Sequence, residues 1–303
     1  MDFNQNRICK LLNIKYPIIQ GDVDLIFDSN LALSVCEAGG LGTISPGLLE
    51  PQWLEKEIKT MKEKTKNPFG VCLFMRHPKL DEMIKIIIKE KPAIVFTGGG
   101  NPLPIIPYLK MVGIKVIPIV PSVRLAKKME ENEADAVVLT GFEAGGFVAK
   151  NTLFSLLIEA KKSITIPIIG SGGIYDGKGA KISFLMGADG IQMATRFLCS
   201  KECNVPDDIK KKIVEAKEDD VDIVFLGLNY PLRVIKNKWA DNIKNIEDKI
   251  FPEEINFKEI FNALFNPPDA ESVPILAGLS AIGISEIKSV REIIEEIVKE
   301  LTS

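Results

Sequence analysis

Ser171-Gly172-Gly173 and Ala194-Thr195 are the residues whose types could do chemistry together. A Ser-Gly-Gly turn leaves main-chain N–H groups unshielded by side chains. A threonine adds a hydroxyl and further main-chain donors. If both turns end neighbouring strands, the donors converge on one small anion, and a phosphate dianion fits them. A helix starting near Asp176 would add its N-terminal dipole. Tight turning alone also uses glycine, but two adjacent loops favour phosphate. A second run, Gly98-Gly99-Gly100-Asn101, lacks the spacing of a dinucleotide site. It reads either as main chain that can approach a flat ring or as a flexible loop. Further glycines stand at Gly21-Asp22, at Pro46-Gly47 and in Gly141-Phe142-Glu143-Ala144-Gly145-Gly146. The single histidine, His77, reads as a surface-loop residue, with a place at the mouth of the site as the alternative.

These turns need a frame that gathers them at one face. Short β-branched runs alternate with stretches of helical periodicity over the first two-thirds of the chain. Strands are expected at Tyr16–Gln20, Gly42–Ser45, Phe69–Phe74, Ala93–Thr97, Lys115–Val120, Ala136–Thr140, Pro167–Gly170 and Gly190–Ala194. Helices are expected at Ser29–Ala38, Pro51–Lys64, Lys79–Lys91, Leu103–Met111, Ser122–Glu133, Thr152–Lys162 and Gly177–Met186. Several strands are apolar on both faces, as a parallel sheet covered by helices requires. Eight β-α units in succession close into a (β/α)₈ TIM barrel, whereas an open doubly wound sheet usually stops nearer six strands. Each glycine-bearing turn then follows a strand, at the face where barrels bind ligands.

After about Ser200 the rhythm breaks. Val221–Leu226 reads as a strand, and Arg233–Ile246 and Phe257–Phe265 as helices. Ser285–Leu301 is an amphipathic helix with Ile287, Val290, Ile293, Ile294 and Ile297 on one side. The expected organisation is a barrel of residues 1–200 plus 272–303, with a small α/β cap, 201–271, inserted before the C-terminal helix.

Composition narrows the function. Lys+Arg 38 against Asp+Glu 41 gives a net charge of -3, which argues against nucleic acid as a partner. Lys210, Lys211 and Lys212 sit among acidic residues and read as a solvated helix face. No apolar run is long enough to span a membrane and no signal segment stands out, so a cytoplasmic location is expected. The five scattered cysteines suit reduced thiols. Cys199 and Cys203 could share a helix face, but with one histidine no metal site is expected.

Beyond these patterns, the chain resembles the nitronate monooxygenase (2-nitropropane dioxygenase) family. The likeness is carried by Tyr16-Pro17-Ile18-Ile19-Gln20-Gly21, Glu37-Ala38-Gly39-Gly40-Leu41-Gly42, Pro68-Phe69-Gly70-Val71, Thr97-Gly98-Gly99-Gly100-Asn101-Pro102, Glu143-Ala144-Gly145-Gly146, Gly172-Gly173-Ile174 and Thr195-Arg196-Phe197. It runs in order from about residue 8 to 200, and Arg233-Val234-Ile235-Lys236-Asn237 and Ala277-Gly278 continue it. The FMN-dependent enoyl-ACP reductase II branch is the most similar. The resemblance implies a barrel that binds FMN without a covalent bond. Gly172, Gly173, Ala194 and Thr195 would hold the phosphate. Gly21, Asp22 and Val23 would lie by the isoalloxazine ring. Gly98, Glu143, Gly145 and Gly146 would line the ring and ribityl chain. Family members oxidise nitronates with O2; the reductase branch reduces an enoyl thioester with NAD(P)H. A homodimer is also implied.

Four positions depart from the family pattern. Phe147 stands where the family has its active-site histidine, so acid–base work there is lost. Asp22-Val23 replaces Gly-Met, and Ser45-Pro46-Gly47 replaces a more glycine-rich loop. Cys72, another ring-side position, replaces asparagine. A carboxylate at Asp22 facing the ring would disfavour added negative charge there. The expectation is therefore an FMN-dependent oxidoreductase. One alternative is an FMN-binding protein with little turnover, a sensor or assembly subunit. The other is a barrel for a different phosphorylated ligand.

Overall fold

A computed structural model describes residues 2–22, 28–226, 231–247 and 269–303. In chain order these form α1 (Arg7–Leu12), β1 (Ile18–Gln20), α2 (Asn30–Glu37), β2 (Thr43–Ile44), α3 (Pro51–Lys64), β3 (Gly70–Phe74), α4 (Leu80–Glu90), β4 (Ile94–Gly98), α5 (Ile106–Met111), β5 (Lys115–Val120), α6 (Val123–Glu131) and β6 (Val137–Thr140). They continue with β7 (Gly146–Phe147), α7 (Leu153–Lys161), β8 (Ile168–Ser171), α8 (Gly177–Leu185), β9 (Gly190–Met193), α9 (Thr195–Leu198), α10 (Asp207–Val214), β10 (Val221–Val224), β11 (Leu232–Ile235), α11 (Lys238–Ile246) and α12 (Val290–Thr302).

All eight expected strands are present, parallel, in the order β1-β9-β8-β6-β5-β4-β3-β2. The ring closes between its first and last members: Leu41 N–H donates to Ile18 O (2.9 Å), and Gln20 N–H to Leu41 O (2.9 Å). The buried Gln20 amide extends the seam, donating to Thr43 O (3.1 Å) and accepting from Thr43 N–H (3.2 Å). Ile19, Leu41, Cys72, Ile94, Phe96, Ile117, Val138 and Ile169 fill the barrel. Helix α1 plugs its N-terminal end. A Cβ at Gly190, where β9 begins, would stand 3.2 Å from Ile8 Cγ1.

Outside the barrel, α12 packs against α2 and α8 and completes the helical ring. Ser289 and Glu292 form its capping box, so the helix starts at Val290. Ile287 therefore lies outside it and is partly exposed, a correction to the expected apolar face. The expected helix from Arg233 also begins too early. Residues 232–235 pair with β10 and β7 in a three-stranded antiparallel sheet, and Asn237 then caps α11. The expected helix Phe257–Phe265 lies outside the described residues. In α10, Lys210 is buried rather than solvated, because Ile209 and Ile213 on either side pack into the main core. All five cysteines are buried, and none is in a disulfide. Cys199 and Cys203 share no helix face, since α9 ends at Leu198.

Candidate active site at the barrel mouth

Four stretches of chain meet at the C-terminal ends of β1, β6, β8 and β9, and glycine lets them meet. Gly172 and Gly173 both have positive φ (116° and 73°), a conformation that side chains disfavour. A Cβ at Gly172 would stand 3.2 Å from Ala144 N, and one at Gly21 would stand 3.1 Å from Ala194 Cβ. A Cβ at Gly145 would lie 2.6 Å from the Ala277 carbonyl carbon, inside any permitted contact. Leu279 N–H donates to Glu143 O (2.9 Å), and Gly278 N–H donates to Thr195 Oγ1 (3.0 Å).

These loops wall a cavity of about 730 Å³. Gly21, Asp22, Gly98, Glu143, Gly145, Gly146, Gly172, Gly173, Ala194 and Thr195 all line it. Among the described residues, none accepts a main-chain hydrogen bond from the N–H of Gly172, Gly173, Ala194 or Thr195. Thr195 Oγ1 already accepts from Gly278, so its own hydrogen is left to donate. Helix α8 does begin at Gly177, but Asp176 Oδ1 accepts from Gly179 N–H (2.8 Å). A carboxylate thus already caps that helix end, which does not line the cavity. The anticipated dipole contribution to an anion is accordingly reduced.

Two of the positions expected from the sequence fall elsewhere, and a third is not among the described residues. Cys72 is buried among the residues that fill the barrel and does not line the cavity; Phe74, two residues on along the same strand, does. Val23 lies outside the described residues. His77 is buried, not on a surface loop. Its Nδ1 accepts from Lys79 N–H (2.9 Å), so Nε2 carries the proton and faces Leu49 O at 3.1 Å. Burial holds its pKa below the ordinary histidine value, opposed by the Leu49 carbonyl. This ring ties two loops together and does not line the cavity.

Phe147 also lines the cavity. It is 36% exposed and stacks on Phe74, ring centroids 6.4 Å apart and planes within 13°. Arg233 holds the loop that carries it. The buried guanidinium donates to Ala144 O (3.2 Å) and Phe142 O (2.9 Å) and lies over the Phe142 ring. Glu143 is likewise positioned, accepting from Leu153 N–H at the start of α7 (2.9 Å). Pattern reading alone gave Arg233 no role; the family-like stretch 233–237 was the only signal of it. Among the described residues, no helix is long and apolar enough to cross a membrane.

The sequence model of the nitronate monooxygenase family matches residues 5–86 and 79–300. A probable nitronate monooxygenase of Staphylococcus aureus (strain Newman) is 31% identical over 92% of both chains. FabK from Thermotoga maritima superposes with a TM-score of 0.92 at 38% identity, over 98% of this chain and 96% of that one. A nitroalkane oxidase from Streptomyces ansochromogenes shares the fold, with a TM-score of 0.83 at 22% identity over 95% of this chain and 96% of that one. With relatives matched along nearly its whole length, the chain belongs to the nitronate monooxygenase family, a family of oxidoreductases.

Proposed function

We propose that the protein is an FMN-dependent oxidoreductase whose phosphate site is the turn pair at Gly172–Gly173 and Ala194–Thr195. The observation that carries this reading is the group of four main-chain N–H donors that have no acceptor among the described residues, on two adjacent loops of one cavity. Donors held by backbone geometry recognise a phosphate without needing a lysine or arginine. The cavity volume also falls in the range of cofactor pockets. FMN bound there would supply electron and hydride transfer, which side chains cannot. Gly21, Asp22 and Val23 would face the ring, while Gly98, Glu143, Gly145 and Gly146 would border the ring and ribityl chain.

Phe147 stands where the family resemblance places a histidine, and it offers no proton. Turnover then relies on a substrate that needs no acid or base at that point. Nitronate oxidation with O2 and enoyl thioester reduction with NAD(P)H are the two reactions to distinguish. The aromatic pair also favours a second reading, an FMN-binding protein with little turnover, because phenylalanine at position 147 cannot transfer a proton. In either case we assign residues 201–271 to a cap, the location to the cytoplasm and the assembly to a homodimer.

Purified protein should be yellow, with flavin absorbance released by heat. A colourless protein that cannot be reconstituted with FMN rejects both readings. Anaerobic bleaching by NADH or NADPH would identify the reductase, and bleaching by a nitronate alone the monooxygenase. Bleaching by neither would leave the low-turnover reading.

A further inference from the structure

Arg196 follows Thr195 directly, yet its side chain turns away from the cavity and is buried. One Nη donates to Cys199 O (3.1 Å) and to Glu286 O (2.8 Å), both neutral carbonyls. Its Nε is buried with no hydrogen-bond partner among the described residues. Among the described residues no carboxylate lies within ion-pair distance of it. The two nearest in electrostatic reach, Glu286 and Glu296, are both held by Lys288, at 2.7 and 2.8 Å. Cys199 and Cys203 supply no negative charge either, since burial pushes their thiols up to about 12 and about 11. Asp28 faces Cys203 and hydrogen-bonds the neutral Asn30 and Asn204, with buried Lys210 as the cation on that side.

A buried guanidinium without a counter-ion costs stability unless something repays it. Burial lowers the pKa of Arg196 from its ordinary value, and the more distant Glu286 and Glu296 oppose this only in part. The turn formed by Ala194 and Thr195 is one residue away, with donors facing the cavity.

We propose that Arg196 is a positioning residue for the phosphate: its buried charge, with no direct ion-pair partner among the described residues and next in the chain to the Ala194–Thr195 turn, attracts the dianion through the protein without touching it. This rests on the FMN reading above. The low dielectric between the two gives the charge a reach that it would lack in water. Lys288 serves the same end by keeping Glu286 and Glu296 from neutralising Arg196.

The test compares FMN with riboflavin, the same flavin without phosphate, by fluorescence titration of flavin-free protein at low and high salt. Wild type should prefer FMN. Arg196→Gln should shrink that preference about tenfold while leaving riboflavin affinity unchanged. Arg196→Lys, which keeps the charge, should retain most of it. Lys288→Gln leaves Arg196 and its bonds in place, so it carries the test should Arg196→Gln not fold; it should shrink the preference about threefold, less at high salt. If these variants weaken both flavins equally, or neither, Arg196 is only a structural tie and the inference is overturned while FMN binding stands. If wild type binds no FMN, the functional reading falls with it.

Discussion

Where Gly172, Gly173, Ala194 and Thr195 line the cavity its wall is main chain, whereas Phe74 and Phe147 line it with a pair of stacked side chains. The main-chain wall works through φ angles and close approaches. Few sequences satisfy it, because a Cβ at Gly172, Gly145 or Gly21 meets neighbouring atoms. The aromatic wall tolerates exchange, since Phe147 lies on a two-residue strand with its ring partly in solvent. One barrel can therefore keep its anion site while the aromatic wall changes its chemistry.

The comparison breaks most directly at Gly172. Gly172→Val adds strain at φ 116° and pushes on Ala144, misaiming two donors. FMN affinity should fall about a thousandfold with the circular-dichroism spectrum retained, since each bond to a charged group is worth about 1.5–3 kcal/mol. An affinity within threefold of wild type would remove the main-chain wall from the binding account. Phe147→His acts on the other wall. It should leave FMN affinity unchanged and raise turnover with one family substrate about a hundredfold, the lower end for a general acid or base. An unchanged rate with both substrates would show that the ring occupies no proton-transfer position.

Thr195→Val probes the junction, because the hydroxyl both accepts from Gly278 and has a hydrogen to donate. FMN binding should weaken about tenfold, and equilibrium unfolding should show a loss of about 1 kcal/mol. If neither moves, the hydroxyl is incidental. The smallest effect belongs to His77, away from both walls. Its folded pKa is lowered by burial, so the unfolded chain binds the proton more readily. Its contribution to stability is full above pH 6.5 and is lost as pH falls through the lowered folded value. His77→Gln should flatten that acid limb of the melting temperature without altering flavin affinity; an unaltered limb would assign the acid sensitivity to other groups.

Sequence alone determined the regular frame and the glycine turns. Lys115–Val120 and Pro51–Lys64 form elements with the same bounds read from their patterns, because β-branched runs and helical periodicity are local properties. Helix α1 is not legible in the sequence, because six residues carry too little periodicity, although Asn6 caps it and Asn13 ends it in the left-handed region. Tertiary structure alone decided what depends on distant neighbours. It decided that β11 pairs with β7, that Arg233 holds Phe142 and Ala144, and that Cys72 fills the barrel interior while Phe74 reaches the cavity. It also decided the burial of His77, Lys210 and Arg196, since a polar residue's depth is set by what the rest of the chain packs over it.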